Sequence, residues 1–241
     1  GQINHVTGAV HFATDLIPGY TGTPIRELLE KRYNLPVYVD NDVNVLAYAE
    51  KHLGGGRNSK CLLCIALGTG VGGAVMVDGK IMHGALGGAG ELGHMSVNFN
   101  GPRCNCGNYG CLEMYASGTG ISKRMNELVK SKGSTDETNE TIDSKTVVER
   151  WLKGDSLAEK VMEETILALG TAIASYIHVF NPDRIVIGGG VAEVGEPLLK
   201  RVKEVVYIQS MKSMNSIVTI EPALMGNQSG MIGAAMQVWE A

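Results

Sequence analysis

His94, Cys104, Cys106 and Cys111 fall in one glycine-rich segment, GHMSVNFNGPRCNCGNYGC. One imidazole and three thiols make a Cys3His set, the tetrahedral donor set that suits Zn2+. The Cys-x-Cys-x4-Cys spacing is tight, so the loop must wrap the ion, and Gly101, Gly107 and Gly110 allow that. Four such ligands close the coordination sphere, which predicts a structural zinc and not one that activates water. Three unrelated loop cysteines are the alternative. Cys61 and Cys64 also form a Cys-x-x-Cys, but in an apolar run that predicts a strand. Residues three apart on a strand point to opposite faces, so these two are read as buried small side chains.

A second group is Leu67-Gly68-Thr69-Gly70-Val71-Gly72-Gly73, directly after that run. A strand feeding a Gly/Thr turn offers backbone N–H groups and a hydroxyl to an anion, commonly phosphate. It lacks the lysine of a Walker loop and leads into a hairpin, so it matches neither a P-loop nor a dinucleotide fingerprint. A plain tight turn has the same pattern. Gly188-Gly189-Gly190-Val191 follows a second apolar strand in the same manner.

The third group is Val39-Asp40-Asn41-Asp42-Val43-Asn44. A carboxylate at a strand end, beside asparagines, is placed to accept a hydroxyl proton and orient a polyol. Helix capping by Asp40 or Asp42 is the bland alternative. Glu91 precedes His94 by three residues, so on a short helix the two share a face. Glu113 follows the last cysteine. Either carboxylate could face a sugar or support the metal-bound imidazole.

Strands alternating with helices must position these groups. Pro24–Tyr33, Asp42–His52, Leu157–Phe180, Glu196–Val206 and Gly230–Trp239 read as helices from their apolar spacing. Val37–Val39, Cys61–Leu67, Arg184–Ile187 and Ser216–Ile220 read as strands, and Asp78-Gly79 as a hairpin turn between Ala74–Val77 and Lys80–His83. Ser131–Ser144 is polar and aperiodic, a surface loop. The alternation predicts an α/β architecture with glycine turns at strand ends.

The composition agrees. Glycine accounts for 32 of 241 residues and is clustered, not spread as in a linker. With 44% hydrophobic and 19% charged residues the chain can build a core. A net charge of −4, with no run of Lys and Arg longer than two, argues against nucleic-acid binding through this region. No apolar run reaches the length of a membrane span, and no secretory signal is visible. An odd number of cysteines, five, disfavours a paired secreted framework and suggests a cytoplasmic protein.

Taken together, DNDVN, LGTGVGGAVMVDGKIMHG, GGAGELGH, CNCGNYGCLE and NPDRIVIGGGV, in this order over nearly the whole chain, resemble the ROK family of repressors, open reading frames and kinases. The resemblance implies an α/β, actin-like ATPase (ribonuclease H-like) fold with two lobes around a cleft. Residues 1–42 would be what is present of the small N-terminal lobe, 43–227 the large lobe with the zinc loop, and 228–241 a C-terminal helix returning to the small lobe. It further implies ATP-dependent phosphorylation of a hexose or N-acylhexosamine, with Mg2+ accompanying ATP and Asp42 as the general base. Gly1, Thr14, Asn41, Glu91, His94 and Glu113 would contact the sugar. Gly68, Thr69 and Gly70 would hold phosphates, and Gly188, Gly189, Gly190 and Val191 the adenosine. Family kinases begin with an Asp-x-Gly-Gly-Thr loop that is not found in this sequence, so the resemblance implies an N-terminal lobe incomplete in this stretch and predicts that the stretch by itself is inactive. A homodimer is expected from the family. The effector domain of a ROK-type repressor is the alternative, and Asp42 with the glycine turn favours the kinase.

Overall fold

The structure, a computed structural model, describes residues 1–13, 17–132 and 141–240. The chain opens with an antiparallel hairpin, β1 (Gln2–Asn4) and β2 (Ala9–Phe12). Helix α1 (Ile25–Tyr33) follows Pro24 and stops at Asn34, which takes the left-handed conformation at φ 53°. The expected strand Val37–Val39 does not form. Val37 donates its N–H to the Glu30 carboxylate at 3.2 Å, so its backbone partner is a side chain and not a ladder.

Helix α2 (Asp42–Leu53) leads to β3 (Cys61–Leu67), β4 (Val71–Val77) and β5 (Lys80–Ile81). The turn between β4 and β5 has positive φ at both Asp78 and Gly79, the backbone a two-residue hairpin requires. Four helices come next: α3 (Glu113–Ala116), α4 (Gly118–Ser131), α5 (Ser144–Leu152) and α6 (Ser156–Phe180). Then follow β6 (Arg184–Gly188), α7 (Glu196–Gln209), α8 (Lys212–Asn215), β7 (Thr219–Pro222) and α9 (Ser229–Glu240). The expected surface loop at 131–144 falls largely on residues 133–140, outside the described residues.

Five strands form one mixed sheet in the order β5-β4-β3-β6-β7. β3 is antiparallel to β4 and parallel to β6, which is parallel to β7. The alternation in β3 decides what lies on each face. Leu63, Ile65 and Leu67 enter the large core with α4, α5, α6 and α7, whereas Leu62 and Cys64 meet Val43 and Ala47 of α2 on the other. Cys61 packs against the first cluster and Cys64 belongs to the second, so the two thiols diverge as their spacing requires. Burial pushes both thiols above their ordinary range.

Helix α6 is the central prop. Asp155 caps it by accepting from the Leu157 and Ala158 N–H groups, and Asn181 closes it at φ 46°. Its fully buried Leu169 and Ile173 lie beneath the sheet, where truncation to Ala costs about 2–5 kcal/mol. Helix α9 crosses α2 so closely that a Cβ at Gly233 would stand 1.8 Å from the Val45 carbonyl oxygen, so any larger residue drives the helices apart.

Candidate functional site

Asn41, not an aspartate, caps α2: its side-chain oxygen accepts from Val43 N at 2.9 Å. Asp40 and Asp42 are thereby released from that role and diverge. The Asp40 side chain is largely covered and accepts from Asn41 N and Asn44 Nδ2 at 2.7 Å each, and it meets His83 Nε2 at 2.7 Å. Asp42 is exposed, and its one hydrogen bond among the described residues comes from Val43 N at 3.1 Å. Its carboxylate stands at the solvent edge of the first turn of α2, where the N-terminal partial charge favours an anion.

Three contacts carry this edge toward the cysteine loop. Asn41 Nδ2 donates to the Gly1 carbonyl at 3.0 Å, and the next residue, Gln2, donates to Glu91 Oε1 at 3.2 Å. Glu91 Oε2 in turn lies 3.9 Å from His94 Nε2, the shared face their spacing predicts. Gly1, Asn41, Glu91 and His94 thus line one connected rim. Thr14 lies outside the described residues. His94 ends a 3₁₀ turn, Leu92–His94, and the buried Tyr176 hydroxyl of α6 donates to Leu92 O at 2.5 Å, fixing the turn from below.

The donor atoms of His94, Cys104, Cys106 and Cys111 all lie within 4.8 Å of one another. Cys106 Sγ and Cys111 Sγ are 3.6 Å apart, as are Cys104 Sγ and His94 Nδ1. With Zn–S near 2.3 Å and Zn–N near 2.0–2.1 Å, a tetrahedron has S–S and S–N edges of about 3.8 and 3.6 Å, so the group fits the ion. Metal-side Nδ1 leaves His94 Nε2 facing Glu91, so one ring can serve both the cluster and the rim. Burial raises the Cys104 and Cys111 thiols above their usual range. Cys106, also opposed by some burial, is nonetheless lowered, chiefly by the Asn108 N–H.

Glu113 begins α3 and reaches back to the glycine turn, where Oε2 accepts from Val71 N at 3.0 Å. Within the turn Gly68 N donates to Gly70 O at 2.9 Å, and Gly118 N of α4 donates to Gly68 O at 2.8 Å. The second glycine segment is joined to the same turn: Val191 N donates to Leu67 O at 3.1 Å. Gly189, at φ 91°, lies against Leu67, where a Cβ would meet the Leu67 carbonyl oxygen at 2.5 Å. Gly68–Gly70 and Gly188–Val191 therefore form one floor.

Beside Thr69 opens a cavity of about 640 Å3, lined also by Gly118, Thr119, Ser122, Lys123 and Lys130. The sequence reading did not pick out these α4 residues, although Ile121, Met125 and Val129 at four-residue spacing mark the helix. His83 was missed as well, because only the tertiary fold brings it to Asp40.

The mixed sheet, with glycine turns at the ends of β3 and β6 and helices on its faces, matches the actin-like ATPase fold of sugar kinases. A ROK glucokinase from Streptomyces griseus, solved with glucose and AMPPNP, superposes with a TM-score of 0.86 at 28% identity, covering 100% of this chain and 80% of that one. The ROK family model matches residues 1–240, and the chain belongs to that family. It is 37% identical to a glucokinase of Halalkalibacterium halodurans over 99% of this chain and 73% of that protein. It is also 30% identical to the xylose repressor of Caldicellulosiruptor bescii, over 99% of this chain and 60% of that protein. No described helix is long and apolar enough to cross a membrane.

Proposed function

We propose that the protein phosphorylates a hydroxyl of a hexose or N-acylhexosamine with ATP, with Asp42 as the general base. The observation that carries this reading is the division of labour in the first turn of α2. Asn41 takes the cap and Asp40 the buried contacts, which leaves the exposed Asp42 carboxylate to accept a proton. Asn41, Glu91, His94 and Glu113 are read as the sugar's hydrogen-bond partners, with Gly1 beside them. A site lined by carboxylates, an amide and an imidazole suits a neutral polyol, which both gives and takes hydrogen bonds.

Gly68, Thr69 and Gly70 are assigned to the phosphates and Gly188–Val191 to the adenosine. Support comes from the hydrogen bond that joins the two turns and from the adjoining cavity with Lys123 and Lys130. Mg2+, bound with the nucleotide, would neutralise the phosphate charge. Residues 1–42 are read as small lobe and 43–227 as large lobe, so that closure would exclude water from the acceptor hydroxyl. The Cys3His cluster would hold the wall that carries His94, Glu91 and Glu113 in place without joining the chemistry.

Similarity to a xylose repressor supports a second reading, a sugar-sensing effector domain. A sensor needs no proton acceptor at residue 42. The test is an ATP-coupled assay of the full-length protein against a panel of hexoses and N-acylhexosamines. Turnover of one or more sugars supports the kinase; sugar binding without turnover supports the sensor.

A further inference from the structure

Asp40 is the most heavily engaged carboxylate of the rim, and neither the metal cluster nor the glycine floor uses it. Its side chain is 6% exposed and takes three contacts at 2.7 Å, two through Oδ1 and one through Oδ2. The Oδ1 partners, Asn41 N and Asn44 Nδ2, belong to the segment that presents Asn41 and Asp42. The Oδ2 partner, His83, comes from the chain beyond β5, on the far side of a hairpin. His83 is itself held: its ring stacks on His5 with centroids 4.2 Å apart and planes 14° from parallel. Arg26 ties down the backbone of the β1–β2 turn, donating to His5 O at 3.0 Å and to Val6 O at 2.6 Å.

Without its partners, Asp40 would have no reason to stay buried, because a carboxylate removed from water without compensating donors is costly. With them, it works as a bracket. One oxygen fixes the peptide entering α2 and the side chain one turn further on. The other anchors that turn to a histidine braced by the N-terminal hairpin. Three separate segments, at residues 5, 40–44 and 83, are joined at the point from which Asp42 projects.

We propose that Asp40, oriented by His83, is the positioning residue that sets the direction of the Asp42 carboxylate and the Asn41 amide toward the sugar. The inference deepens the kinase reading and rests on it for the role of Asp42. Proton transfer in phosphoryl transfer demands placement within hydrogen-bond reach, and a misplacement of about 1 Å can cost on the order of 100-fold in rate. Rotation of the first turn of α2 moves Asn41 and Asp42 together, so turnover and sugar affinity should fall together. Among the described residues no hydrogen bond links Gly68–Gly70 or Gly188–Val191 to Asp40 or His83, and ATP affinity should stay as it is.

The test uses His83→Leu and His83→Gln in the full-length protein. Leucine fills the space but donates nothing to Asp40, whereas the glutamine amide can replace the imidazole N–H. His83→Leu should lose about 10-fold or more in kcat and bind sugar more weakly, with KM for ATP within about twofold of the parent. His83→Gln should recover most of both losses. Wild-type kcat and sugar affinity in His83→Leu would overturn the inference. So would equal losses in the two variants, or a rise in KM for ATP matching the fall in kcat. Should His83→Leu fail to fold, His83→Gln decides alone: near-parental kcat supports the bracket, and a 10-fold loss in a folded protein opposes it. If the parent phosphorylates no sugar, the proposed function fails by itself. Calorimetric sugar affinity then decides the bracket, which requires weakening in His83→Leu and restoration in His83→Gln.

Discussion

Glu113 Oε2 accepts the backbone N–H of Val71 at 3.0 Å, while Glu113 Oε1 lies 4.0 Å from Cys104 Sγ. One side chain therefore touches both the cysteine cluster and the first residue of β4, directly after the glycine turn. Order in the cysteine loop can be passed to that turn through one carboxylate. A sugar partner at this position would sense both.

Replacing Glu113 separates the two. Glu113→Ala leaves the Val71 N–H without its acceptor, and an unsatisfied, partly buried donor costs about 1–3 kcal/mol. The variant should unfold at lower denaturant than the parent, and Glu113→Gln, which keeps an acceptor oxygen, should recover most of the difference. Equilibrium urea unfolding of both variants measures it. Equal loss in both would show that charge, not the hydrogen bond, matters at this position.

Zinc affinity should rise steeply with pH. Burial holds the Cys104 and Cys111 thiols protonated well above neutrality, and the metal needs thiolates, so binding must release protons. Below the thiol pKa values each added proton competes with the ion. Affinity therefore climbs as pH rises through neutrality and weakens in mild acid. Competition against a chromogenic chelator at several pH values measures the slope, and metal analysis should give about one zinc per chain. Removal of zinc should lower the thermal midpoint, and a pH-independent affinity would exclude thiol ligation.

Asp42→Asn and Asn41→Ala should fail in different ways. Asp42→Asn removes the proton acceptor but leaves the cap, so turnover should fall by about 10²–10⁴-fold, while the lost charge at the helix N-terminus costs at most about 0.3–1 kcal/mol of stability. Asn41→Ala deletes the cap and should cost roughly 1 kcal/mol of stability, in addition to weaker sugar binding. Coupled-assay kinetics alongside thermal unfolding separates them. Normal turnover by Asp42→Asn would remove this residue as the base.

How much of this could be read beforehand depended on range. Strand β3 and helix α6 were legible because CLLCIAL and the stripe through Leu157, Val161, Leu169 and Ile173 carry their own period. The four candidate ligands, whose donor atoms the structure brings within 4.8 Å of one another, were legible because all four lie in one short stretch of chain. Helices α4 and α5 were passed over although Ile121, Met125 and Val129, and Val147 with Trp151, are spaced for burial. Gly118 and Gly120 disguised the start of α4, where a Cβ on Gly120 would meet Met114 O at 2.5 Å. The expected strand Ser216–Ile220 begins later, as Thr219–Pro222, because pairing with β6 starts at Arg184↔Thr219. The Asp40–His83 contact was invisible because its partners are far apart in sequence and neither has a local motif.

Acid should expose the contribution of Asp155. Some burial opposes its charge, but the Ala158 and Leu157 N–H groups and Arg150 hold its carboxyl below the usual carboxylate range. A depressed pKa in the folded state gives stability that is fully present above the unfolded value, 3.8, and is lost as pH falls through the folded value. Asp155→Ala should therefore cost about 1 kcal/mol near neutrality through the lost cap of α6, and progressively less below about pH 4. Unfolding midpoints of parent and variant across this range should converge. A constant gap would place the effect in packing, not charge.

The last prediction concerns Gly70, where an added Cβ would stand 2.5 Å from Glu113 Oε2. The obstructing atom is the far end of a flexible side chain, so Gly70→Ala need not distort the turn; it can push Glu113 aside. The cost then becomes the broken Glu113–Val71 hydrogen bond, about 1–3 kcal/mol, the same quantity that Glu113→Ala removes. A double-mutant cycle tests this directly, since substitutions that act through one bond are not additive. Gly70→Ala combined with Glu113→Ala should be scarcely less stable than Glu113→Ala alone. Additive losses in urea unfolding would mean that the turn, and not its carboxylate neighbour, carries the strain.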